Sequence, residues 1–333
     1  MALPMDVSIG ISNESTYKTY VAPTRFYELL DESLQWNKQV KQGAGLRVGS
    51  RVARAARRVV AAGDGGGDFS IEAVSKGMGL LWAACLGTGT STLVSGSTYQ
   101  QNFTLADAPT SLTVQKGLVQ AGGTVDAYSF LGCMVESWEF GFPNNDIATL
   151  KATVDAGDLS TAQSYAAPSY PAAPVNLFQF ANASISTGTF TAATTTTLPS
   201  AATATVNVRG GSISVNNNLT TDRYNAGGAG RKSKPTVGIR SITGSLTIEY
   251  DSTTYRDLVL NDGSLTLVVT LTAGALSVGN ETLTVALPAI KFDNALPQAN
   301  GSDLIVQSMN FTALDDGTNP PIGVYMRTAD TTL

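Results

Sequence analysis

Ser264-Leu265-Thr266-Leu267-Val268-Val269-Thr270-Leu271 sets Leu265, Leu267, Val269 and Leu271 on one side of an extended chain. Side chains of a strand alternate between faces, so this spacing reads as a β-strand with one face in a core. The same alternation runs outward in both directions. It recurs at Leu283, Val285 and Leu287, at Ile242, Leu246, Ile248 and Tyr250, and at Val206, Val208, Ile213 and Val215. Nearer the start it appears at Leu112 and Val114, at Val125, Tyr128 and Phe130, at Val135, Trp138 and Phe140, and at Ile147, Leu150 and Val154. Successive segments spaced by about 8 to 12 residues predict a mainly β fold, a β-sandwich or partly closed barrel. Val7, Ile9 and Ile11 fit a further strand, as do Phe69, Ile71 and Ala73. Residues 17–36 fit either period; Phe26, Leu30, Leu34 and Trp36 at period two favour strand.

One segment breaks the pattern. Met78, Leu81, Trp82, Cys85 and Leu86 fall on one helical face, with Ser75 placed to cap the start and Gly87 to end it. A single α-helix over about 76–86 is expected, its apolar face packed on a sheet. Residues 166–174 are rich in Pro and Ala, and 186–205 are nearly all Thr, Ala and Ser. That composition predicts a linker or excursion over 161–205, between a first β part at 1–160 and a second at 206–333 that completes or duplicates it. Ser111-Leu112-Thr113-Val114 recurs as Ser245-Leu246-Thr247-Ile248 and Ser264-Leu265-Thr266-Leu267, through duplication or through strand composition alone.

The chain of 333 residues is 43% hydrophobic and only 14% charged, with a net charge of −5, so its surface as a whole repels nucleic acid. It contains no histidine, which removes Ser-His-Asp and Cys-His catalysis and the common zinc sites. Cys85 and Cys133 read as buried free thiols. Asp315-Asp316-Gly317 and Asn261-Asp262-Gly263 read as turns rather than catalytic carboxylates. Gly227-Gly228-Ala229-Gly230-Arg231-Lys232-Ser233 is close to a phosphate-binding loop, but Arg231 stands where the lysine must follow the last glycine, so a flexible loop is expected. Gly63-Asp64-Gly65-Gly66-Gly67-Asp68 reads as a hairpin turn rather than a calcium loop. No cofactor or metal is expected. The first residues lack the basic and apolar regions of an export signal, and the run at 78–86 is too short to span a membrane, so no membrane partner is expected.

Against this acidic background, residues 37–60 carry Lys38, Lys41, Arg47, Arg51, Arg54, Arg57 and Arg58 and no acid. The stretch is either a solvated loop or an arm that docks on an acidic surface. No aromatic lies between Trp36 and Phe69, so the stacking platforms of nucleic-acid binding are missing and docking on a neighbouring subunit is favoured.

Several segments in order resemble the major tail tube proteins of long-tailed bacteriophages. They are Tyr20-Val21-Ala22-Pro23-Thr24-Arg25-Phe26-Tyr27-Glu28 with Glu32-Ser33-Leu34, then Gly45-Leu46-Arg47-Val48-Gly49, then Gly67-Asp68-Phe69-Ser70-Ile71-Glu72-Ala73 with Lys76-Gly77-Met78-Gly79-Leu80-Leu81. Gly132-Cys133-Met134-Val135-Glu136-Ser137-Trp138 and Gly238-Ile239-Arg240-Ser241-Ile242-Thr243-Gly244-Ser245-Leu246-Thr247 complete the series. The resemblance implies a non-enzymatic virion protein that is assembled in the bacterial cytoplasm. It would form rings, six subunits each, stacked into a hollow tail tube through which phage DNA passes without specific binding. Tape measure, tail terminator and tail-tip proteins are the implied partners. The arm at 38–58 is then expected to order on assembly and touch the next ring. A capsid-decoration or adhesion β-sandwich is the competing reading. A glycosidase would need paired carboxylates beside aromatic platforms, and aromatics are only 8% of the chain.

Overall fold

Alternating apolar residues become strands along almost the whole chain. A computed structural model describes residues 6–205, 207–293 and 305–333, so Val206 lies outside the described residues. In chain order the strands are β1 (Val7–Asn13), β2 (Arg25–Tyr27), β3 (Leu29–Glu32), β4 (Gln35–Gln42), β5 (Arg58–Glu72), β6 (Gly87–Ser95) and β7 (Thr98–Leu105). Next come β8 (Leu112–Val119), β9 (Val125–Phe142), β10 (Thr149–Ala156), β11 (Asp158–Ser160), β12 (Ala183–Thr191) and β13 (Ser200–Thr205). The last are β14 (Val208–Asn216), β15 (Ser241–Glu249), β16 (Leu265–Ala275), β17 (Asn280–Asp293), β18 (Val306–Ala313) and β19 (Gly323–Thr328). Two helices accompany them, α1 (Gly79–Leu86) and α2 (Thr254–Leu260). No described helix is long and apolar enough to cross a membrane.

Every described strand pairing is antiparallel. β2, β1, β8 and the first half of β9 lie side by side, with β11 on the far edge of β9. The second half of β9 pairs with β10 on one side and β14 on the other. From β10 the sheet continues to β5, which carries β3 and β4. From β14 it continues through β15 and β18 to the end of β17. The start of β17 pairs instead with β19, which leads to β7 and β6, while β16, β12 and β13 line its opposite edge. Pairings β9–β14 and β7–β19 therefore join strands from before residue 160 to strands from after 206. One apolar core spans both portions and makes a mainly β, sandwich-like fold.

Segments 125–130 and 135–140, expected as two strands, are one strand of 18 residues. Where a turn would have parted them, Gly132 adopts φ 64° and the register against β8 slips, a bulge that swings β9 from one sheet into the other. A side chain at Gly132 would strike the Tyr17 ring, 2.6 Å from the place of its Cβ.

The expected helix exists but starts later, at Gly79, with Met78 at the cap position and no side-chain cap. Ser75 is occupied elsewhere: its hydroxyl accepts the Asn176 N–H at 3.1 Å and its carbonyl accepts the Thr328 hydroxyl at 2.8 Å. Gly87 ends the helix at φ 104° as anticipated. Met78, Leu81, Trp82, Cys85 and Leu86 are all buried, but so are Leu80 and Ala84, and the helix is enclosed on nearly every side rather than laid on a sheet by one face. Trp82 meets Trp138 edge-on at 5.4 Å and Phe140 at 6.2 Å. A second helix, α2, adds to the single one expected, and Tyr255, Leu258 and Val259 at positions i, i+3 and i+4 are the residues it rests on the core.

Residues 161–205, expected as a linker or excursion, include Phe178, fully buried, and the β12–β13 hairpin, which pairs with β16. Phe190 and Leu198 from this hairpin cover a small cluster of Val268, Ala286 and Tyr325. Cys85 and Cys133 are free and buried, and burial pushes both thiols up.

Candidate functional site

The basic stretch at 37–60 is a β-hairpin. β4 pairs with β5 from Gln35 opposite Gly66 out to Gln42 opposite Arg58, so both ends of the expected loop are strand. The connection across 43–57 is closed at its neck by the Gly43 N–H donating to the Arg57 carbonyl at 2.9 Å and the Gln42 amide donating to the Arg54 carbonyl at 3.1 Å. A bridge between Arg47 and Ser50 turns the tip, and a short 3-10 turn at Ala55–Arg57 leads back into β5.

All seven cations lie on this hairpin. Lys38, Lys41, Arg47, Arg51, Arg57 and Arg58 are exposed and Arg54 is half-exposed. Among the described residues none of the seven has a carboxylate within ion-pair distance. Sequence reading missed the apolar side chains between them. Leu46 is 100%, Val48 102% and Val52 81% exposed, with Val59 and Val60 exposed beside them. Exposed aliphatic side chains and cations without an acidic partner among the described residues therefore stand together on one hairpin.

The root of the hairpin explains the glycine run. Gly63-Asp64-Gly65-Gly66-Gly67-Asp68, expected as a turn, sits in the middle of β5. Trp36 of β4 lies flat over it: side chains added at Gly63 or Gly65 would come within 2.3 and 2.2 Å of the indole. The glycines thus make a seat for the ring, and a strand that lacks side chains on one face is read as punctuation when its partner is out of view. Among the described residues no cluster of three or more acidic or cysteine side chains could hold a metal.

The 227–233 loop, expected to be flexible, is instead pinned against this root. The Gly63 N–H donates to the Gly230 carbonyl at 2.9 Å, and the Tyr224 hydroxyl donates to the Gly63 carbonyl at 3.0 Å. Arg231 pairs with Asp158 at 2.6 Å. Lys232, only 4% exposed, sits between the Asp155 carboxylate and Asp64, the latter at 2.5 Å. Burial pushes Asp155 up to about 6, against the pull of the Lys232 ammonium. Burial also opposes the charge on Lys232, but hydrogen bonds to Asp155 and Asp64 outweigh it and raise its pKa. At neutral pH both members are therefore charged.

Lys232→Met is expected to remove about 3 kcal/mol at pH 8, as loss of one partner of a buried pair does. An acid whose folded pKa lies above its unfolded value stabilises the fold below the unfolded pKa and loses that contribution as pH rises through the folded one. Without the ammonium the Asp155 pKa climbs further above about 6, so the variant should stand closer to the parent at pH 5 than at pH 8. Urea denaturation at the two pH values checks this; an equal deficit at both would contradict it.

A family model described as phage tail tube protein matches residues 6–313. No curated protein matches the chain.

Proposed function

This chain belongs to the phage tail tube protein family, a structural subunit of the tail tube, and we propose how it does that work. Copies close into rings, six to a ring, and the rings stack into the tube of a long-tailed, siphovirus-like phage, assembled in the bacterial cytoplasm. The β4–β5 hairpin is the stacking element, ordered against the next ring. The observation that carries this reading is an exposed arm of seven cations and several bare aliphatic side chains, for which the described part of its own chain offers no acidic partner.

Ring closure and stacking need contacts in which one surface of a subunit meets a different surface of its neighbour. Among the described residues β4, β6 and β13 are each hydrogen-bonded along one side only. Such edges invite further strands, and assembly turns that hazard into specific pairing. The two β parts act as one body within this subunit, since hydrogen bonding and core are continuous across them.

With seven of its 21 cations on the arm, the rest of the chain is more acidic than the net charge of −5 implies. An acidic lumen gains no affinity for DNA through counterion release, so the genome passes without specific binding. The chain works without a cofactor and without catalysis, beside tape measure, tail terminator and tail-tip proteins. Negative-stain microscopy of concentrated protein, with a tail-tip complex added to initiate growth, should show rings or tubes. Dispersed monomers under those conditions would contradict the proposal.

A further inference from the structure

The arm leaves one end of β5, and an apolar groove opens at the other. Arg58 begins the strand and Ile71 and Glu72 close it, 14 residues on. At about 3.3 Å per residue they lie on the order of 45 Å apart. Phe26, Ile71, Tyr170, Pro171, Val175 and Leu177 line the groove, a cavity of about 240 Å³. Tyr170, Val175 and Leu177 remain exposed there. Glu28 and Glu72 border it, and among the described residues neither carboxylate is ion-paired, whereas nearby Glu32 and Asp68 are held by Lys116 and Lys151. One cation, Lys76, also lines the groove, where it donates to the Ala172 carbonyl at 3.2 Å, and nearby Arg25 donates to the Leu333 carbonyl at 2.7 Å.

We infer that this groove is the receptor for the arm of a second copy, with Leu46, Val48 and Val52 entering the apolar hollow and the neighbouring arginines meeting Glu28 and Glu72. The inference rests on the arm reading above and adds the surface that receives it. The chemistries are complementary, apolar to apolar and guanidinium to carboxylate. The arm cannot serve its own groove, because β5 holds the two apart. Displacing a copy along β5 brings one arm to the next groove, and the operation repeats without closing, as a growing tube requires.

The test is a cysteine pair, Val48→Cys with Val175→Cys, oxidised after assembly. Cys85 and Cys133 are buried and do not compete. Non-reducing gels should show a ladder of covalent multimers taking up most of the chain, absent from either single variant. Tubes that form without a ladder would overturn the groove assignment and leave the arm reading intact, which falls only if arm variants still build tubes. Should the cysteine pair fail to assemble, a charge exchange decides. Glu28→Lys with Glu72→Lys should slow growth at least tenfold, and adding Arg47→Glu and Arg51→Glu on the same chain should restore it. Unaltered growth of the first variant, or no restoration by the second, would overturn the inference.

Discussion

Replacing Arg51, Arg54 and Arg57 together with glutamate is expected to abolish tube growth and leave the chain folded. The three side chains lie on the hairpin connection, outside the core, without a carboxylate partner among the described residues. Substitutions at such positions usually change stability by no more than about 0.5 kcal/mol each. Arg57 is the least neutral of them, because its guanidinium lies against Gly45 at the neck of the arm. At an interface the balance differs: like charges brought together cost several kcal/mol, and each factor of ten in affinity is worth about 1.4 kcal/mol. Three reversals in every subunit should therefore raise the concentration needed for growth by at least a hundredfold. Circular dichroism and thermal melting close to those of the parent, with no sedimenting polymer, is the expected pair of results. Normal tubes from the variant would refute the assignment of the arm.

Trp82→Ala acts on the opposite link, fold rather than assembly. Trp82 is fully buried, presses edge-on against Trp138 and Phe140, and belongs to a helix enclosed nearly all round. Truncating a buried Trp to Ala costs about 3–5 kcal/mol, through lost burial and the cavity left behind. The indole N–H of Trp82 has no hydrogen-bond partner among the described residues. Trp82→Phe removes that unsatisfied donor and keeps an aromatic edge, so it should cost less than half as much. Chemical denaturation measures both, and equal losses would show that the ring contacts do not set the cost. A deficit below about 1 kcal/mol for the alanine variant would mean that α1 is not the centre of the core.

Strands were legible where one face is apolar and the other polar, as at Ile242, Leu246 and Ile248, because burial on a sheet imposes period two; from Leu265 to Leu271 the intervening Thr266 and Val268 are buried as well. The pattern of β9 reads as two strands because a bulge at Gly132 shifts the alternation without ending the strand. Helix α1 showed its apolar face, yet Leu80 and Ala84 gave no sign that other strands would close over them. The Thr-rich run at 186–205 has only two large apolar residues, Phe190 and Leu198, too few to show a period, and so resembles a linker, although β-branched Thr suits a strand laid on the surface. Lys232 looked like one more cation in a glycine loop; its burial depends on Asp64 and Asp155, which no local pattern connects to it. The arm is legible by charge, since seven cations without an acid stand out in an acidic chain, while scattered Leu46, Val48 and Val52 follow no period that would mark them as exposed.

Hydrogen exchange across residues 43–57, compared between dispersed subunits and assembled tubes, bears most directly on the role of this hairpin. Amides outside the neck hydrogen bonds should exchange rapidly in the free subunit and become strongly protected in the tube. Equally rapid exchange in both states would mean that no neighbour covers the arm, and the stacking role given to it would fail.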